Sequence, residues 1–113
     1  MRKRGRGTWI QLAAVAATAA CSDEPAQQTT AAERGRHVYQ NVCIACHSAD
    51  PSREGSLGPP VAGATRELLE AKLLRGAYPP GYTPRREGGA MPKFKYLADS
   101  IDDLAAYLAQ PGG

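Results

Sequence analysis

Residues Cys43-Ile44-Ala45-Cys46-His47 are the one constellation in this sequence whose types and spacing announce a chemistry. C-x-x-C-H is the attachment sequence of a c-type haem. Each thiol can add to one vinyl group of a porphyrin, and the adjacent imidazole is then held under the iron as its proximal ligand. The spacing brings both sulfurs to one edge of the ring, and His47 follows too closely to swing elsewhere. A CxxC pair can also be a redox dithiol or half of a zinc site. Here no second cysteine pair completes a zinc tetrad, and no βαβ pattern surrounds the motif as a thioredoxin-like dithiol requires. The expected cofactor is one covalently bound haem c.

The elements that must position these residues come from a short chain. At 113 residues it holds one small domain plus appendages. Leu, Ile, Val and Phe are few, and much of the 42% hydrophobic content is alanine, so the side-chain core is thin. Small scaffolds need a staple, and a covalently held haem would serve as one. The formal net charge of +3 is misleading, because Arg2, Lys3, Arg4 and Arg6 sit in a leader. Without those four, the balance falls to −1. Nothing in it points to nucleic acid.

Residues 1–20 read as an export signal. The basic start leads into a mildly apolar stretch, Thr8 to Ala20, too short to span a bilayer but right for a signal h-region. It ends at Ala19-Ala20-Cys21, which resembles the lipobox of bacterial lipoproteins, where the cysteine is acylated and becomes the new N-terminus. Thr18 departs from that pattern, which usually has an apolar residue there. Simple cleavage after alanine is the alternative, with Cys21 left as a spare thiol. Cysteine usage closes without remainder if Cys21 takes lipid and Cys43 and Cys46 take haem. Both fates place the protein on the periplasmic side of a bacterial membrane, lipid-anchored or otherwise soluble in the periplasm. Residues 21–31 read as the lipobox cysteine and a flexible tether, 32–110 as the folded domain and 111–113 as a tail.

Within the domain, Gly35, Val38, Tyr39 and Val42 recur at helical spacing. A glycine inside a helix costs about 1 kcal/mol against alanine, so Gly35 suggests close approach of another helix. His37 lies off this stripe; a solvent-facing histidine is the ordinary reading and a spare iron ligand the alternative. Thr65 to Arg75 reads as a second helix, with Thr65 as cap, Leu69 and Leu73 on one face and Gly76 as stop. Ile101, Leu104, Ala105 and Leu108 mark a C-terminal helix, with Asp99 or Ser100 to cap its start. Between the second helix and Ala90 the chain is turn-rich, with Pro79, Pro80, Gly81, Pro84, Gly88 and Gly89.

The run from Gly35 through Tyr39 to Cys43-x-x-Cys46-His47 resembles the N-terminal helix and haem site of class I (monohaem) cytochromes c. The segment from Asp103 to Leu108 resembles the C-terminal helix of that family. The resemblance covers about residues 32–109. It implies an all-α domain of three to four helices wrapped around one haem, with the terminal helices crossing where Gly35 and Tyr39 meet Leu104 and Tyr107. It further implies that a proline carbonyl in Gly58-Pro59-Pro60 accepts the second ring N–H of His47, with Pro59 before Pro60. Met91, the sole methionine once Met1 has left with the signal, is implied as the sixth iron ligand.

With His47 and Met91 both bound, iron has no open position for substrate. The expected function is one-electron transfer between redox protein partners, with no small-molecule substrate and no enzymatic activity of its own. A place as a subunit in a dehydrogenase or oxidase chain fits equally well. If Met91 does not bind, the alternative is a five-coordinate haem protein, a small-gas sensor or weak peroxidase. Residues 85–95 carry a local balance of +3 from Arg85, Arg86, Lys93 and Lys95 against Glu87. Asp99, Asp102 and Asp103 form an opposing acidic group, so a polarised partner surface is expected.

Overall fold

Thr30 starts the first helix by a capping box: its hydroxyl accepts from the Glu33 amide, and the Glu33 carboxylate accepts from the Thr30 amide. The structure is a computed structural model that describes residues 28–87 and 89–111, with 7, 11 and 13–16 of the leader. Cys21, most of the signal segment and most of the tether lie outside the described residues.

Helix α1 (Ala31–Val42) buries Gly35 and Tyr39. It tightens into a 3₁₀ turn, Cys43–Ala45, that forms the first part of the C-x-x-C-H motif. Helix α2 (Arg66–Glu70) is capped by Thr65, whose hydroxyl accepts from the Leu68 amide, and continues as a π-helical turn, Ala71–Arg75. Gly76 closes it in the left-handed conformation, φ 64°, as its place after the last apolar residue predicts. Helix α3 (Ile101–Leu108) has no side-chain cap. Neither Asp99 nor Ser100 is needed there, because a 3₁₀ turn, Lys95–Ser100, runs straight into the helix and the backbone never leaves helical geometry. The domain is helical, as its class requires, and no strand occurs among the described residues.

α1 packs against α3, and Gly35 is where they come closest. A Cβ at Gly35 would strike the Asp103 carbonyl and the Tyr107 Cβ. The Tyr39 and Tyr107 rings meet beside it at 5.5 Å, tilted by 51°. Leu104 completes the crossing and is 1% exposed. The expected meeting of Gly35 and Tyr39 with Leu104 and Tyr107 is therefore present in the packing. Burial pushes the Tyr39 phenol up to about 12, so it stays neutral and donates to the Ser48 carbonyl at 2.5 Å. Arg34 forks onto Asp103 at 3.0 and 2.9 Å, and Arg66 reaches Asp102 at 2.7 Å. Two of the three acids expected to form a free acidic pole thus have basic partners from other elements.

The candidate haem site

The 3₁₀ turn after α1 sets the thiols. With three residues per turn, Cys43 and Cys46 fall on one face, and the Cys46 and His47 amides both donate to the Cys43 carbonyl, at 3.2 and 2.9 Å. The loop that follows folds back under His47. The Cys46 carbonyl accepts from the Leu57 and Gly58 amides at 3.1 and 2.9 Å, which brings Gly58 beneath the imidazole. A Cβ on Gly58 would lie 2.5 Å from Nδ1 and 2.8 Å from Nε2 of His47. Only glycine fits against the ring.

His47 Nδ1 lies 2.8 Å from the Pro59 carbonyl oxygen. That oxygen can only accept, so Nδ1 carries the proton and donates, leaving Nε2 with its lone pair for a metal. Pro60 does not take this role. Its carbonyl instead accepts from Arg85 at 3.0 Å.

Met91 is brought to the same cavity from the other side of the sequence. The Phe94 amide donates to the Leu73 carbonyl at 2.8 Å, which pins the segment after the turn-rich loop against the end of the second helix. Met91 is part-buried against the core. Cys43, Cys46, His47 and Met91 all border one cavity of about 530 Å³, walled mainly by apolar groups such as Leu68, Leu73, Phe94 and Leu104. His37 is exposed, bonded locally to Asn41, and does not border the cavity.

A family model of cytochrome c oxidase, cbb3-type, subunit III matches residues 30–108. The chain belongs to this family. No curated protein and no solved structure matches it. Residues 30–108 are thus a cytochrome c domain, and its chemistry is haem-based electron transfer.

The residues of this cytochrome domain fit a haem on their own geometry. Two thiols, an imidazole with a free Nε2 and a thioether surround a cavity whose walls are apolar, as a flat porphyrin requires. Among the described residues no group of three or more His, Cys, Asp and Glu could hold another metal. Burial pushes the Cys43 thiol up to about 11.

Several residues at this site have no signal in the sequence that places them there. Gly58 reads as an ordinary loop glycine until the imidazole is seen on it. Lys72, Tyr78, Tyr82, Arg85 and Arg86 also border the cavity. Tyr78 and Tyr82 stack at 5.4 Å, and the Lys72 ammonium sits 4.1 Å over the Tyr78 ring. The helical period of Thr65 to Arg75 separates Lys72 from the buried Leu73, and the turn-rich loop has no period from which a side chain's direction could be read.

Proposed function

We propose that this protein is a monohaem one-electron carrier in which Cys43 and Cys46 hold the haem and His47 and Met91 ligate its iron. The observation that carries the reading is the hydrogen bond from His47 Nδ1 to Pro59, in a cavity that Met91 also borders. The bound haem supplies a single Fe(III)/Fe(II) couple. The chain does the rest. Pro59 fixes the imidazole tautomer and raises its basicity, while the soft thioether of Met91 favours the ferrous state. The apolar wall keeps water from the ring, and no catalytic acid or base is required. The family's name supports a position in an oxidase complex, where the domain would pass electrons towards the terminal site.

An absorption spectrum of the purified protein tests the ligand pair. A weak long-wavelength band in the ferric state, lost on reduction, marks Met–Fe ligation. Met91→Ala should abolish that band, lower the midpoint potential and let carbon monoxide bind the ferrous form, with the haem still attached. High-spin bands in both states of the wild type would instead favour the open-site reading, a gas sensor or weak peroxidase.

We further propose that the domain works on the periplasmic side of a bacterial membrane, held there by lipid on Cys21 after the signal peptide is removed. The Ala19-Ala20-Cys21 sequence supports it. No helix among the described residues is long and apolar enough to cross a membrane. Wild-type protein should fractionate with membranes, and Cys21→Ser should release it or block processing. A soluble wild type with an intact Cys21 thiol would refute lipidation.

A further inference from the structure

Three cations border the haem cavity, Lys72, Arg85 and Arg86, and among the described residues no carboxylate does. They are not equivalent. Arg86 pairs with the Glu54 carboxylate and also reaches the Gly55 carbonyl at 3.4 Å, so its charge is compensated. Arg85 donates through one nitrogen to the Pro60 and Ala62 carbonyls, at 3.0 and 3.4 Å. Both acceptors are neutral. The Lys72 ammonium lies over the Tyr78 ring, and neither it nor Arg85 has an ion-pair partner among the described residues.

The chemistry of the porphyrin says what such cations face. When the vinyl edge is tied to Cys43 and Cys46, the opposite edge presents two propionates. Each is an anion beside a largely apolar wall, where an uncompensated charge is costly. Arg85 and Lys72 both come from elements other than the one that carries the cysteines. We propose that Arg85 and Lys72 are the counter-charges of the two haem propionates, with Arg85 the principal one. Its guanidinium has five N–H donors in a planar fork. The two carbonyls hold one nitrogen in place and leave the others to meet a carboxylate. Lys72 contributes a point charge from the second helix. This inference rests on the haem reading above and deepens it.

The pairing also tunes the iron. An uncompensated propionate favours the ferric state by simple Coulomb attraction, so removing its cation should lower the potential. Three haem-loaded variants, Arg85→Gln, Arg85→Lys and Lys72→Gln, are compared with wild type by resonance Raman and redox titration. Arg36→Gln, an exposed residue of α1 outside the cavity, removes the same charge as a control. Arg85→Gln should shift the propionate-bending band and lower the midpoint potential, and Arg85→Lys should retain most of that potential. Lys72→Gln should lower the potential by less and reports independently should Arg85→Gln fold poorly. A propionate band and potential unmoved by both glutamine variants, or moved equally by Arg36→Gln, would overturn the counter-charge assignment and leave the haem reading standing. A wild type without covalent haem would overturn both.

Discussion

Gly58 and Pro59 act on one imidazole in different ways, the glycine by leaving room and the proline by accepting a hydrogen bond. Adding a methyl group at Gly58 must push the ring away or break the bond to Pro59, since the Cβ would sit 2.5 Å from Nδ1. Losing that bond makes His47 a weaker donor, which disfavours ferric iron. Gly58→Ala should therefore raise the midpoint potential, whereas Met91→Ala lowers it, and it should cost roughly 1–3 kcal/mol of stability from overpacking. Redox titration beside chemical denaturation checks both; an unchanged potential would mean that the ring position is indifferent to its floor. The sequence makes Cys43, Cys46 and His47 legible because all of their chemistry lies within five adjacent residues. Met91 stands out by scarcity, and the fold brings it to the same cavity. Gly58 is not legible, because what it does is settled by a ring that reaches it through space.

At the scale of elements, the crossing of α1 with α3 is what holds the floor of the site. Tyr39 lies in that crossing and also bonds the first residue after His47, so helix packing and loop position are coupled. Gly35→Ala sets two effects against each other. Alanine gains about 1 kcal/mol of helix propensity over glycine. The new Cβ meets backbone of α3, which cannot rotate aside, and overlap of that kind costs more than the propensity returns. A net loss on the order of 2 kcal/mol is expected, read as a lower denaturation midpoint of the haem-loaded protein. Equal or higher stability would mean the helices can separate without penalty. The two terminal helices were legible because their apolar spacing and their glycine agree on one face. The 3₁₀ lead-in to α3 was not, since Asp99 and Ser100 have the side chains of caps and only the preceding turn makes capping unnecessary. The capping box at Thr30 and Glu33 was readable from its spacing but falls where composition suggests tether.

For the whole molecule, pairing across the fold reshapes the charge pattern that the sequence suggests. Asp102 and Asp103 are matched by Arg66 and Arg34, while Arg86 is spent on Glu54. The exposed pair Lys93 and Lys95 remains, alternating with Pro92 and Phe94 of the cavity wall. Those lysines should steer an acidic partner towards the haem edge, an effect on encounter rate more than on affinity. Electron transfer to a physiological partner should slow with rising ionic strength, as the Debye length shrinks to about 8 Å at 0.15 M. Reversing Lys93 and Lys95 to Glu should slow it further at low salt without moving the potential; rates independent of salt in both proteins would mark the docking as apolar. Linear proximity overstated the basic patch because it cannot show that Arg86 folds onto Glu54. The same fold gives the two proposed iron ligands unequal tenure. On the His47 side, every neighbouring segment is laced by main-chain hydrogen bonds, from Cys43 through Gly58. Among the described residues of 83–93, by contrast, no main-chain hydrogen bond to other main chain is made, and the arginine side chains are the visible fastenings of that stretch. Local opening costs least where the backbone is least bonded. Under heat, denaturant or a competing donor, the proposed thioether ligand should let go while the imidazole is still seated, so the potential should fall before the shape is lost.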